Sequence, residues 1–313
     1  MDLHQLEYVI AIADEKGISR AADKLHITQS TLSQFLGKLE GELGLRLFDR
    51  RRNEMVLTYA GQLYVDTCRQ MLRERRELYN QMADLMESRT GSFSIGITPQ
   101  WGAVAYAHIF QPFHQIYPGI RISVKEETAM PLIQMLQEGQ VDMAVIPLTD
   151  NTALPLESIL LHAEELLLAI PRAHADALHI PQTKNKLPSV EIELLAAEPM
   201  IFSQNGTTIR KLEEQCFSSK KISSNVAAEV NSHPASLILV EQGVGSTFVP
   251  VSCASPSDKI VFAHAVPTVQ WFVVIAFRKG FVPRQSERHF IKLAKEYFNR
   301  ISNSSPNTVL PSI

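Results

Sequence analysis

Two unlike faces alternate between Gln29 and Leu43. Ser30, Ser33, Gln34, Gly37 and Lys38 form a small, polar stripe, while Leu32, Leu36, Leu39 and Leu43 recur at helical spacing and are expected to be buried. Serine and glutamine side chains read base edges by hydrogen bonding when a helix lies in a major groove. The candidates for base contact are Gln29, Ser30, Thr31, Ser33 and Gln34. Just beyond them Arg46, Arg50, Arg51 and Arg52 stand against Asp49, four positive charges to one negative. Lys38, Arg50, Arg51 and Arg52 are therefore candidates for phosphate contact, which sets register without reading sequence. A run of arginines also suits a solvated loop, and its place beside the polar helix favours the phosphate reading.

A second group of residues suits a small ligand. Thr98, Pro99, Gln100 and Trp101 follow one expected strand and open a helix, Thr128 follows another, and Ser203, Asn205, Gly206 and Thr207 follow a third. In open α/β folds ligands bind beyond the carboxyl ends of strands, often at helix N-termini, where N–H groups favour anions. The same residue types cap helices without any ligand. Pro147 and Pro250, each placed just past an expected strand end, either shape this cleft or simply end strands.

Other chemistry finds no support. There is no G-x-S-x-G, no H-E-x-x-H, no paired-cysteine metal spacing and no i, i+4 histidine pair, so neither a catalytic residue nor a metal ligand is expected, and no cofactor. Gly243-Val244-Gly245 follows a helix and lacks a third glycine, so it is expected to cap that helix. Cys68, Cys216 and Cys253 are scattered and suit reduced thiols in the cytoplasm; a Cys216–Cys253 redox pair is disfavoured by their separation. Hydrophobic content of 45% with 20% charged residues is ordinary for a soluble chain, and no apolar run approaches membrane-spanning length. The start, Met1-Asp2-Leu3-His4, carries no basic region followed by an apolar one, so no secretory signal is expected. Net charge is −3, and residues 1–61 hold eight Lys and Arg against nine Asp and Glu. Nucleic-acid binding would therefore depend on where the charge sits.

These residues need elements to hold them. Asp2 suits an N-cap with Gln5 at the capping-box position, and Leu6, Val9, Ile10 and Ala13 make a first amphipathic helix ending near Gly17. Ser19 can cap a second helix through Leu25, and Thr28 a third. Leu45 to Phe48 and Met55 to Leu57 suit two strands around an Asp49–Glu54 tip, completing a winged helix-turn-helix. The stretch AADKLHITQSTLSQFLGKLEGELGLRLFDRRRNEMVLTYAG closely resembles the N-terminal domain of LysR-type transcriptional regulators, with AA-x-x-L, L-E-x-x-L-G-x-x-L-F-x-R and L-T-x-A-G in order and at the right spacing. Family members often carry basic residues where this chain has Gln34 and Gly37.

Between Thr58 and Ser88 the residues Tyr64, Cys68, Met71, Arg75, Leu78, Met82 and Leu85 step by four and three. That is a heptad seam, which needs either a second copy or the chain's own C-terminal part to cover it. Pairing with a second copy is the favoured reading, and the resemblance implies it too. Ser88 to Ser92 suits a hinge. Beyond it strands and helices alternate in two units that predict parallel sheet. The expected fold class is α/β with an N-terminal all-α winged helix-turn-helix, a long linker helix and two α/β subdomains of periplasmic-binding-protein type. The boundaries are 1–58 for the DNA-binding domain, 59–88 for the linker and 91–302 for the effector-binding domain. Within the last, 91–163 plus 269–302 form subdomain I and 164–268 form subdomain II. The tail from Ser302 is expected to be disordered.

The expected function is sequence-specific, effector-controlled transcriptional regulation without enzymatic activity. The effector is expected to be small and more suitably anionic. The expected partners are double-stranded DNA, further copies of the chain up to a homotetramer, the effector and RNA polymerase, with no membrane. A solute-binding protein or enzyme on the α/β half would leave residues 1–61 without a use. A nucleoid-like DNA binder would lack effector dependence.

Overall fold

The computed structural model describes residues 3–51, 54–85, 90–99, 101–150, 155–181 and 186–304. The chain divides into two compact units, one of residues 1–92 with 138–140, the other of residues 93–137 with 141–313. In the first, α1 (Leu3–Glu15), α2 (Ile18–Leu25) and α3 (Gln29–Leu43) precede the hairpin of β1 (Phe48–Arg51) and β2 (Glu54–Leu57), and α4 (Tyr59–Leu85) follows. Val9, Ile12, Ala21, Leu32, Leu36, Leu47, Phe48 and Val65 share one core. The Thr28 hydroxyl caps α3 as expected, accepting from the Thr31 N–H. Ser19 does not cap α2. Gly17 precedes that helix in extended backbone, because burying Ile18 draws the helix start two residues earlier. The Asp2 cap lies outside the described residues. Leu43 and Leu45, expected respectively inside and in a strand, are exposed, since Gly44 breaks α3 in the left-handed region where the core no longer covers the chain.

Three residues of the recurring motifs turn out to be fasteners. The Glu40 carboxylate accepts from the N–H groups of Leu47 (2.7 Å) and Phe48 (3.1 Å), fixing the entry to the hairpin. The Thr58 hydroxyl donates to the Arg46 carbonyl (2.8 Å) and accepts from the Gly61 N–H (2.9 Å), so one side chain joins the hairpin to the start of α4. Gly61 lets the two backbones meet: a Cβ there would lie 1.9 Å from the Leu47 carbonyl oxygen.

At 27 residues α4 is about 40 Å long. Its expected seam divides in two. Cys68 is buried and Tyr64 half-buried at the turns that α1 covers, where Arg69 donates to Asp14 at 2.6 Å. Met71, Arg75, Leu78 and Met82 are exposed, and the Leu85 side chain is outside the described set. Cys68 is therefore core of this unit rather than seam. Of the expected hinge, Thr90 to Ser92 already belong to the next strand.

In the second unit β3 (Thr90–Ile97), α5 (Trp101–Ile116), β4 (Gly119–Glu126), α6 (Ala129–Gln137) and β5 (Met143–Leu148) are followed by the long β6 (Glu157–Pro171). Then come α7 (Arg172–Ala177), β7 (Ser189–Glu191), β8 (Pro199–Ser203), α8 (Thr208–Ser219), β9 (Asn225–Val230), α9 (His233–Glu241), β10 (Thr247–Pro250), β11 (Ile260–Phe277) and α10 (Gln285–Ser304). The sheets are mixed rather than parallel throughout. β3 and β5 pair parallel, as do β8 and β9, but β11 runs antiparallel to both β5 and β6. The reason is connectivity: β6 and β11 each travel from one half to the other, in opposite directions. Each half keeps its own core, with Phe93, Ile95, Phe113 and Phe290 in one and Leu166, Leu168, Phe202 and Phe248 in the other. Pro147 lies inside β5, opposite Val273, beyond the end of the β3–β5 ladder at Val145, so its missing N–H leaves no ladder bond unmade. The last helix continues through Ser304, past the expected start of the tail at Ser302, and residues 305–313 lie outside the described set.

Replacing Gly61 with Ala should force α4 away from the hairpin and cost about 3 kcal/mol or more. Hydrogen exchange should quicken at Leu47, Phe48 and the first turn of α4; unchanged protection there would show that Thr58 and Gly61 do not fasten these elements.

Candidate functional site

The first candidate site is the outer face of α3 with the hairpin beside it. Gln29, Ser30, Thr31, Ser33 and Gln34 are all exposed, because the heptad-like leucines turn the opposite side inward. The hydroxyls at the helix start are linked: Thr28 Oγ1 lies 2.9 Å from Ser30 Oγ and 2.8 Å from Thr31 Oγ1. Lys38 is exposed and sits 3.8 Å from Glu42 one turn on. In the hairpin Arg50 and Arg51 are exposed, Arg51 being 3.9 Å from Asp49, and Arg52 lies outside the described residues. A Cβ added to Gly37 would meet nothing within 4 Å.

The second candidate site is a cavity of ≈ 70 Å³ in the second unit. A water needs roughly 10–15 Å³ of such volume, so the space suits a molecule of a few non-hydrogen atoms. Thr98, Pro99, Thr128, Ser203 and Thr207 from the sequence expectation all line it. Asn205 and Gly206 are exposed and do not, because the turn before α8 carries them outward. Gln100 lies outside the described residues; of Trp101 only its place at the start of α5 is described.

The lining also contains residues that sequence patterns did not single out. Ser232 and His233 open α9, and Trp271 projects from β11. Their signal was present in part, since Ser232 precedes a helix after a strand just as Thr128 and Thr207 do. Four helix starts thus converge: α5 after Thr98-Pro99, α6 after Thr128, α8 after Thr207 and α9 after Ser232. A helix start carries four N–H groups without intrahelical partners; at α8 and α9 the cap side chain takes one of them. Among the described residues that line the cavity none is Lys or Arg. Positive potential there comes from the helix starts. Thr208 also donates its hydroxyl to the Pro147 carbonyl (3.1 Å), tying α8 to β5 beneath the cavity.

Behind the lining sit two buried carboxylates. Glu213 of α8 accepts from the Ser203 N–H (2.9 Å) and the Ser203 hydroxyl (3.2 Å), and burial pushes its pKa to about 8. Glu164 accepts from Trp271 Nε1 (3.1 Å) and from the N–H (3.0 Å) and hydroxyl (3.2 Å) of Ser252. Burial pushes His233 below its ordinary pKa, with Glu164 pulling the other way.

Cys216 packs in the core that contains Leu166, Leu168 and Ile170, and Cys253 against the one that contains Leu167 and Ala169. Alternate residues of β6 point to opposite faces, so the two thiols lie on opposite sides of the sheet. Burial raises Cys68, Cys216 and Cys253 alike to about 11. Among the described residues no group of three or more His, Cys, Asp or Glu could hold a metal ion.

Residues 3–62 match the family described as bacterial regulatory helix-turn-helix protein, lysR family, and residues 87–299 match the LysR substrate binding domain. The chain is 29% identical over 291 residues to the DNA-binding transcriptional dual regulator OxyR of Escherichia coli (strain K12), covering 90% of each. It is 28% identical over 257 residues to the hydrogen peroxide-inducible genes activator of Haemophilus influenzae (strain ATCC 51907 / DSM 11121 / KW20 / Rd), covering 80% of each. Its fold is shared with a full-length OxyR variant from Pseudomonas aeruginosa, at a TM-score of 0.68 and 21% identity over 100% of this chain and 99% of that one.

Since nothing surrounds Gly37, Gly37→Ala should stabilise α3 by about 0.5–1 kcal/mol through helix propensity. Slower amide exchange along α3 would show it. A loss of stability would mean that this face is packed in the free protein.

Proposed function

The chain belongs to the LysR family of bacterial helix-turn-helix regulators, and on that footing we propose how this member works. It is a DNA-binding transcriptional regulator with an effector-binding C-terminal domain. The family consists of regulators rather than enzymes, and nothing in this reading needs covalent chemistry. α3 lies in the major groove and presents Gln29, Ser30, Thr31, Ser33 and Gln34 to base edges, while Lys38 and the hairpin arginines Arg50, Arg51 and Arg52 neutralise phosphates. Leu63, Met71, Leu78 and Met82, all exposed, lie on one side of α4 and take a second copy of the chain. Pairing doubles the DNA contact of a unit that is itself slightly acidic. Assembly to a homotetramer, contact with RNA polymerase and a cytoplasmic location belong to the same reading; no helix among the described residues is long and apolar enough to cross a membrane.

The effector is a small anion. The observation that carries this is the convergence of four helix starts on one cavity that no Lys or Arg among the described residues lines. Ligand binding there changes the equilibrium between two arrangements of the two α/β halves and so the spacing of paired DNA-binding units. Genome-wide binding in cells tests the whole reading, because an operator shared among sites would have to emerge. In the purified protein Arg50→Ala should weaken binding to every sequence alike and reduce the slope of log affinity against log salt by about 0.9. An altered base preference with the slope intact would overturn the phosphate assignment.

We propose that the peroxide response for which the Haemophilus influenzae relative is named does not extend to this chain, because Cys216 and Cys253 pack in different cores on opposite sides of the sheet. Burial also pushes each thiol up to about 11, away from the thiolate form that attacks peroxide. Brief exposure to hydrogen peroxide should leave DNA affinity unchanged and three free thiols by mass spectrometry; a Cys216–Cys253 disulfide would contradict this.

A further inference from the structure

Among the described residues lining the cavity, Ser203 is the hydroxyl that donates to a buried acid. Its N–H donates to Glu213 Oε2 and its hydroxyl to Oε1, so the two residues share a paired hydrogen bond at the end of β8. Glu213 is 1% exposed and does not itself line the cavity; Ser203 does. When Glu213 is ionised it can only accept, and the Ser203 proton is committed to it. Ser203 then shows the cavity lone pairs alone. When Glu213 is protonated, Oε2 still accepts from the N–H while Oε1 donates to Ser203 Oγ, and the Ser203 proton is released to point into the cavity. We propose that Glu213 is a positioning residue that sets the hydrogen-bond polarity of Ser203, so that an anion entering the cavity binds the form in which Glu213 is protonated. The inference rests on the anionic effector of the preceding section.

Burial, rather than the charged neighbours, decides where the balance falls. On its own helix Arg210 draws the carboxylate toward ionisation and Glu214 opposes it, and both Ser203 donors favour the ion; burial outweighs them. Arg210 is already shared among Glu214 (2.6 Å), Glu229 of β9 (2.7 Å) and the Ser203 carbonyl (3.1 Å). On the 3₁₀ turn Ile192–Leu195, Glu193 is engaged by Lys220 at 2.8 Å. On β11, His264 is paired with Glu165 at 2.9 Å. His233 of α9 is the titratable group among the described residues that line the cavity, and its depressed pKa places it below the range of interest; Cys216, on the same helix as Glu213, lies above it.

A carboxyl whose folded pKa is raised contributes stability that is present at low pH and is lost as pH rises through about 8. Thermal unfolding of the full-length protein between pH 6 and 9 should show that fall, and Glu213→Gln should remove it. Gln suits the site because its oxygen accepts from the Ser203 N–H and its amide donates to Ser203 Oγ, as the protonated acid does. The probe for the cavity is acetate, with chloride at equal ionic strength as control. The wild type should bind acetate about tenfold more weakly at pH 9 than at pH 7, as the protonated fraction falls. Glu213→Gln should bind it equally at both. Ser203→Ala should keep the stability slope yet lose much of the pH dependence of acetate binding. Acetate affinity independent of pH in the wild type would overturn the coupling and leave the anionic reading standing. Acetate that fails to bind at pH 6, with the stability slope still present, would overturn the anionic reading and the coupling with it. Full pH dependence in Ser203→Ala would assign the coupling to bare charge and overturn the role of Ser203.

Discussion

The antiparallel ladder between β6 and β11 is the constraint on which the C-terminal unit depends. Each strand must leave one α/β half and enter the other, and their backbone groups are satisfied mainly by each other along the way, from Ile260 opposite Pro171 to Phe277 opposite Glu157. Two cores can then form independently on either side, because the stretches of β6 and β11 on each side of the crossing pack against different segments of the chain. The cavity follows from this. It lies where the halves face each other, walled by Trp271 of one crossing strand and backed by Glu164 of the other, which are register partners. The pair is also bonded through the indole N–H, so the crossing point and the cavity wall are one piece of structure.

A comparable economy holds in the N-terminal unit. Thr58, Glu40 and Gly61 each satisfy or spare a backbone group that would otherwise be orphaned at a junction. The hairpin is thereby fixed relative to α3 and α4 by few hydrogen bonds, and the outer face of α3 is left free of structural duty. Gly37 shows this freedom most plainly, since no neighbour constrains it.

Charge needs the same local accounting. The chain is acidic overall, and its N-terminal 61 residues are no better than neutral, yet the exposed arginines of β1 are concentrated at one tip. In the other unit no Lys or Arg among the described residues lines the cavity, and helix starts supply the potential instead, with two buried carboxylates behind them. A site built from backbone dipoles keeps its field when the pH changes, which leaves titratable side chains such as Glu213 to modulate it.

Much was legible in the amino-acid order alone. The leucine periodicity of α3, the Thr28 cap and the alternation of Phe93, Ile95 and Ile97 are local patterns, and local patterns state which face is apolar. They placed the polar stripe of α3 on the surface, and located three of the four helix starts around the cavity. They could not say what would cover an apolar face. Cys68 and Met71 look alike within a heptad, yet α1 buries the first and leaves the second exposed. Nor could they place Glu213 behind Ser203, ten residues away across a turn, or part Cys216 from Cys253 by the thickness of a sheet. Hydrophobic periodicity is written along the chain; the identity of the partner, and the loss of water that shifts a carboxyl toward pH 8, arise only when distant segments pack.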